Sequence, residues 1–283
     1  MAAVADRRQH RSRQPAGRTI GPVHNPRIYG APPFTIAAVH GGPGAAGEMA
    51  PVARELASAG WGVLEPLQTA MSLEGQVEEL SATLKQSGDL PLTLIGFSWG
   101  AWLGFIVAAQ RPKLVKKLVL VSSGPFEERY AAGIEQTRMD RFTQQERAEA
   151  ESQMAVLNGA ASGDRNAAFA RLGALFSKDD ALDPIPDTEE PVECRADIFE
   201  AVWKQAAELR RSGKLLALGK RIECPVVAIH GDYDPHPSEG VHEPLASVLK
   251  DFRFVLLQHC GHKPWIEKQA RDRFYQVLAE ELR

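Results

Sequence analysis

Apolar positions along the chain alternate between two spacings. Phe34–Val39, Trp61–Leu64, Leu92–Phe97, Val115–Val121, Val226–Ile229 and Phe252–Leu257 are short, nearly continuous apolar runs. That is the pattern of strands buried on both faces. Between them, apolar residues recur at three and four positions, as on a helix face. Glu48–Ala59 carries Met49, Val52 and Leu56, and Gly60 stops it. Ser72–Gln86 carries Leu73, Val77, Leu80 and Leu84, with Ser72 as predicted N-cap and Gly88 as predicted stop. Trp99–Gln110 is apolar on most sides, so it must be buried on several faces, and Pro112 ends it. Pro244–Leu249 and Pro264–Leu282 read as later helices.

Strands separated by helices predict an α/β domain with a mostly parallel sheet of at least six strands, flanked by helices. Residues 125–213 break the alternation. They read as helical and charged, with Phe142, Met154, Leu157, Phe169, Leu172 and Leu175 as candidate core positions, and Asp183-Pro184-Ile185-Pro186-Asp187 divides them. The expected organisation is a core of residues 31–124 and 214–283 with a helical insertion, 125–213, placed over the sheet.

Composition narrows the classes. The 283 residues are 44% hydrophobic and 24% charged, which argues against a wholly disordered chain. With 33 Lys and Arg against 36 Asp and Glu, the net charge of −3 gives no global reason to expect a nucleic-acid partner. Residues 1–30 hold six arginines against Asp6 alone, and read as a solvated, poorly ordered tail. The longest apolar stretch, Ala101–Ala109, is too short to cross a bilayer, so no membrane partner is expected. Three cysteines without a C-x-x-C exclude a disulfide scaffold or a zinc ribbon and point to a reducing, cytoplasmic setting. With no H-E-x-x-H and no Cys/His cluster, neither metal nor cofactor is expected.

Candidate chemistry sits in the turns. Gly96-Phe97-Ser98-Trp99-Gly100 is a G-x-S-x-G joining an apolar strand to a helix. That context exposes the serine hydroxyl on a strained turn beside a helix N-terminus, which favours developing negative charge. His40-Gly41-Gly42-Pro43-Gly44 follows the Phe34–Val39 strand. Its backbone can approach a ligand closely, so an oxyanion hole from the N–H groups of Trp99 and Gly42 is expected, with Gly41 second; Pro43 has no N–H. His40 is expected to order this loop. A serine nucleophile needs a base and an orienting acid. His230-Gly231-Asp232-Tyr233-Asp234 and Gln258-His259-Cys260-Gly261-His262 both follow strands, at the sheet edge expected to carry Ser98.

HGGPG, GFSWG, GDYD and GHKPWIE together resemble the α/β-hydrolase superfamily over about residues 34–124 and 214–283. The resemblance implies the α/β-hydrolase fold and a catalytic Ser98, Asp234 and His262. Its G-x-x-D pattern picks Asp234, with Asp232 as alternative, and Glu127 or Glu128 stand where some relatives place the acid. Its G-H-x-P-x-x-E pattern picks His262 rather than His259. Two departures stand out. The family's Asp-x-Arg-Gly is replaced by Glu65-Pro66-Leu67-Gln68, and its first two antiparallel strands are hard to find in residues 1–30. The implied activity is a serine hydrolase working through an acyl-enzyme on carboxylic esters of small molecules, as a monomer or homodimer. The alternatives are a proline-iminopeptidase-like aminopeptidase using Glu189, Glu190, Glu193 or Glu200, a C–C or thioester hydrolase, and a non-catalytic ligand-binding protein. Phe97, Phe126 and Trp265 are candidate substrate contacts, with Trp99 and Trp102 also near the turns.

Overall fold

The computed structural model describes residues 25–186 and 192–283. The strands and helices follow one another as β1 (Arg27–Tyr29), β2 (Phe34–Val39), β3 (Ala45–Ala46), α1 (Ala50–Ser58), β4 (Gly62–Glu65), α2 (Leu73–Ser87), β5 (Leu92–Phe97), α3 (Trp99–Gln110) and β6 (Val115–Val121). Then come α4 (Ile134–Arg141), α5 (Gln144–Leu157), α6 (Arg165–Asp179), β7 (Glu193–Cys194), α7 (Ala196–Arg211) and α8 (Lys214–Ala217). β8 (Val226–Gly231), α9 (Glu239–Val248), β9 (Phe252–Leu257) and α10 (Arg271–Glu281) complete the chain.

Seven strands form the main sheet in the order β1-β4-β2-β5-β6-β8-β9. All neighbours are parallel except β1, which pairs antiparallel with β4. Each continuous apolar run feeds two cores because side chains alternate faces along a strand. Ala37, Val39, Leu94, Leu118, Leu120 and Ala228 pack under α2, α3 and α7. Ile36, Ala38, Ile95, Val119, Val121, Val227 and Ile229 pack under α1 and α10. α3 is buried from Trp99 to Ala109, as an all-round apolar helix must be. No helix among the described residues is long and apolar enough to cross a membrane.

Differences from the expected elements have physical causes. β1 lies inside the stretch read as a tail; Arg27, Ile28 and Tyr29 pair with Glu65, Leu64 and Val63. Three residues are too few to show an alternation, and residues 1–24 lie outside the described part. α9 begins five residues before Pro244, which sits within it. Proline offers no N–H to the carbonyl of Gly240, and that carbonyl accepts the N–H of Phe126 instead, at 2.9 Å. The predicted final helix is a short turn at Pro264–Ile266 followed by α10. The segment between β6 and β8 is helical, with Phe142, Leu172 and Leu175 in a small core of their own. α7 differs: its Ile198, Val202 and Ala206 join the core that holds α3.

The approach of α3 to the sheet is close. A Cβ on Gly100 would lie 2.4 Å from the carbonyl oxygen of Val39 and 2.5 Å from that of His40. Both are backbone atoms at the end of β2, so relief requires moving a strand. Gly100→Ala is expected to cost about 1–3 kcal/mol or more in urea unfolding. Gly173→Ala, at an open position inside α6, is expected to gain about 1 kcal/mol. Equal effects of the two substitutions would contradict this packing.

Candidate active site

Ser98 stands where β5 turns into α3. Its φ of 50° and ψ of −111° leave the ordinary regions for a residue with a Cβ. The turn is held from both sides: the N–H of Ser98 donates to the carbonyl of Val121 at 2.9 Å, and a Cβ on Gly96 would meet the oxygen of Gly100 at 2.2 Å. Ser98 occupies the N-cap position, yet its side chain makes no capping hydrogen bond. The hydroxyl is therefore not spent on the helix. Trp99, the first helical residue, has no intrahelical acceptor for its N–H. Its indole N–H donates to Gln76 Oε1 at 2.9 Å, and Gln76 Nε2 donates to the carbonyl of Ala70 at 3.1 Å.

The glycine-rich loop after β2 is organised by His40, which is fully buried. Its Nε2 accepts the N–H of Gln68 at 3.2 Å, so the proton sits on Nδ1, which donates to the carbonyl of Gly41 at 2.7 Å. Burial pushes the imidazole below its ordinary pKa and keeps it neutral. This is a loop-ordering role, as the sequence suggested. Gly42 holds φ at 29°, and its carbonyl accepts the N–H of Ala45 at 2.9 Å.

Three histidines surround one carboxylate. Asp234 Oδ2 accepts His262 Nδ1 at 2.8 Å; Oδ1 accepts both the backbone N–H of His236 at 2.9 Å and its Nδ1 at 2.8 Å. His230 Nε2 lies 3.5 Å from Oδ2. Burial opposes the ionised carboxyl, but His262, His236 and His230 hold it well below the usual carboxylate range. An ionised carboxylate only accepts, so Nδ1 of His262 carries a proton and donates it to Oδ2. The ring is packed against Phe97, the neighbour of Ser98, at 4.9 Å between centroids. β5 and β9 thus bring the serine turn and the histidine together across the sheet edge.

The other sequence candidates fall elsewhere. Asp232 Oδ1 accepts the N–H of Cys260 at 3.0 Å and so ties one loop to the next. Glu127 pairs with Arg129 and Glu128 with Arg210. His259 is exposed, and burial raises the Cys260 thiol far above its ordinary pKa. Phe97 packs against His262 and Trp265, and Phe126 against Trp102 and Phe105; all three are sealed into the two cores, at 1%, 0% and 4% exposure for Phe97, Phe126 and Trp265. Glu200 is exposed and paired with Arg165, Glu193 lies in β7, and Glu189 and Glu190 fall outside the described residues.

Several supporting contacts escaped the sequence reading. Glu267 is fully buried and accepts three backbone N–H groups, from Gly261, Leu182 and Asp183, at 2.8–2.9 Å. The N–H of His262 donates to the carbonyl of Asp180 at 2.8 Å, and the carboxylate of Asp180 is gripped by Arg138. Lys263 pairs with Glu48 at 3.0 Å. The helical segment is thereby clamped onto the histidine loop. His236 had a faint signal, two residues past Asp234; Asp180 had none. Among the described residues, Asp234, His236 and His262 are spaced closely enough to hold a metal ion. Both Nδ1 atoms, however, already donate to the carboxylate, so the group is satisfied without one.

A family model for the alpha/beta hydrolase fold matches residues 36–269. The chain belongs to the α/β-hydrolase family. Solved structures similar to it include VinJ, at 18% identity and a TM-score of 0.66, covering 91% of this chain and 93% of that one. A proline iminopeptidase from Mycobacterium smegmatis is similar at 19% identity and a TM-score of 0.61, with 91% and 93% covered. A monoacylglycerol lipase from Paleococcus ferrophilus is similar at 16% identity and a TM-score of 0.56, with 91% and 97% covered. At these identities the likeness shows the fold alone. No curated protein sequence matches the chain.

The site has a pH signature that needs no substrate. Burial drops the His236 imidazole to about 4. The unfolded chain, with His near 6.5, therefore binds more protons than the folded one between those values. Stability falls as pH drops through that window, by about 3 kcal/mol at pH 4 from His236 alone. His40 and Asp234 act in the same direction, Asp234 only at lower pH. Urea unfolding from pH 7 to 4.5 is expected to show this loss, and His236→Asn to flatten it. A parallel profile in the variant would rule out a buried neutral His236.

Proposed function

We propose that this protein is a serine hydrolase acting on carboxylic esters of small molecules through an acyl-enzyme. The observation that carries the reading is the pairing of Asp234 with Nδ1 of His262, whose ring packs on Phe97 next to a Ser98 that does not cap its helix. His262 Nε2 takes the Ser98 proton as Oγ attacks the ester carbonyl. Asp234 holds the tautomer and stabilises the imidazolium. The N–H groups of Trp99 and Gly42 receive the oxyanion. His262 gives its proton to the leaving alcohol, the acyl group stays on Ser98, and His262 then activates the water that releases it.

A second reading, an aminopeptidase of the iminopeptidase kind, is favoured by one observation. Glu193 lines a small cavity beside Gly44 of the glycine-rich loop, where a carboxylate could hold an α-ammonium group.

A parallel rate screen separates the two. p-Nitrophenyl esters are expected to turn over well above a Ser98→Ala blank, with prolyl- and alanyl-naphthylamides silent. Prolyl-amide turnover would favour the second reading. Asp234→Asn is expected to lower kcat by about 10⁴-fold. A fluorophosphonate should label Ser98 in wild-type protein, seen by peptide mass. An unlabelled, folded protein would overturn the acyl-enzyme reading.

A further inference from the structure

The carboxylate of Asp234 has to be aimed as well as charged. It turns about a single bond, and His262 meets only one of its oxygens, Oδ2, at 2.8 Å. A hydrogen bond to an sp² oxygen is best made in the plane of the group, along a lone pair. Filling both lone pairs of the other oxygen therefore fixes that plane. His236 fills both: its backbone N–H donates to Oδ1 at 2.9 Å, and its ring Nδ1 donates to the same oxygen at 2.8 Å. The ionised carboxylate only accepts, so the ring proton of His236 sits on Nδ1.

His236 is itself held from several directions. It stands between Pro235 and Pro237. Pro235 has no N–H, so the first backbone donor after Asp234 is that of His236. The proline after it narrows its backbone to extended conformations. Its carbonyl accepts Nε2 of the fully buried His230 at 2.8 Å. Its ring lies against that of His262, with centroids 4.7 Å apart and planes at 30°. The His236 side chain is 13% exposed and that of Asp234 is not exposed at all, so solvent does not reach the carboxylate.

The kind of donor matters too. Burial drops the His236 imidazole to about 4, so at neutral pH it gives a hydrogen bond without a charge. A lysine or arginine in its place would hold the carboxylate but oppose the imidazolium that forms on His262 when it takes the serine proton.

We propose that His236 is a positioning residue of the acid–base pair: its ring N–H fixes the plane of the Asp234 carboxylate, and with it the aim of Oδ2 at His262. It acts through Asp234 and not on the substrate. This rests on the acyl-enzyme reading above.

Two variants separate the ring from its N–H. His236→Asn keeps a donor, because Nδ2 of asparagine is bonded to Cγ as Nδ1 of histidine is. His236→Phe keeps a ring and has no donor. The readouts are kcat and KM on a p-nitrophenyl ester, and the rate at which a fluorophosphonate labels Ser98. His236→Phe is expected to lower kcat and the labelling rate about tenfold with KM within about twofold, the mark of an interaction used in the transition state. His236→Asn is expected to stay within about threefold of wild type in both rates. Near-wild-type rates in a folded Phe variant would overturn the proposal. So would equal losses in the two variants, which would trace the effect to ring packing, or a loss confined to KM, which would place the ring in substrate binding.

A folded wild type that is neither labelled nor active on the ester would count against the acyl-enzyme reading instead. Positioning is then decided by nitrogen NMR of the imidazoles, which also serves if the Phe variant does not fold. His236 and His262 are both expected to carry the proton on Nδ1 in wild type, with His262 unchanged in His236→Asn. A His236 proton on Nε2 in wild type, or a His262 proton that leaves Nδ1 in the Asn variant, would overturn the role.

Discussion

The contact on which the site depends is a backbone one: α3 touches the end of β2 with no side chain between them. Gly100 leaves no room for a Cβ against the carbonyls of Val39 and His40, and Gly96 leaves none against Gly100. A helix drawn that close to the strand edge cannot be entered by a relaxed turn. Ser98 absorbs the mismatch at φ 50°. The strain is compensated by packing: eleven residues of α3 are buried, so the helix is held from several sides at once. The same contact brings the first free N–H of α3 next to the glycine-rich loop, because Val39 and His40 lead directly into that loop.

Electrostatics around Asp234 follow from burial in a similar way. A carboxylate with no side-chain exposure stays ionised only if its oxygens are fully supplied with donors. Here the supply comes from the backbone N–H of His236 and from the ring N–H of two histidines. Each ring donates from Nδ1 to the carboxylate, and burial keeps the His236 ring neutral. His40 repeats the principle beneath the glycine-rich loop, where burial keeps another imidazole neutral and its two nitrogens serve as one donor and one acceptor. In both loops the position of the ring proton is dictated by neighbouring groups.

What could be read from the sequence was local. Strands announce themselves as apolar runs: Phe34–Val39, Leu92–Phe97 and Phe252–Leu257 stand where the pattern put them, but the last is the sheet's edge strand, with only Leu257 buried, rather than a strand covered on both faces. Ser72 caps α2, accepting the N–H of Gly75. The turn motifs were legible because close backbone approach demands glycine at fixed offsets. Asp234 and His262 were legible through their resemblance to family patterns. What stayed hidden depends on partners distant in the chain. β1 is three residues defined only by β4. Asp180 matters through its carbonyl, and a carbonyl has no residue type to betray it. Glu267 was visible as part of a pattern, but its three backbone partners were not, because two of them lie more than 80 residues away. The aromatic residues misled for the opposite reason. Bulk near a turn suggests a pocket wall, yet at Phe97 and Phe126 the strand alternation and the packing of α3 claim the ring for the core.

The sheet order also separates tasks that must change independently. Asp234 and His262 follow β8 and β9, while the glycine-rich loop follows β2 and the segment from Glu65 to Gln68 begins at the end of β4. Between them stand β5, with the Ser98 turn, and β6. A change after β4 can therefore alter the surroundings of the glycine-rich loop without moving a hydrogen bond of Asp234. The segment Glu65-Pro66-Leu67-Gln68, which departs from the family's usual Asp-x-Arg-Gly, falls in that permissive place. Its first residue turns inward to Tyr29 and Arg27, which holds β1 to the sheet edge. Its last carries an unpaired carboxamide beside the loop. Two residues three positions apart thus differ in kind: the side chain of the first ties β1 to the sheet, and that of the second is buried without a hydrogen-bond partner among the described residues.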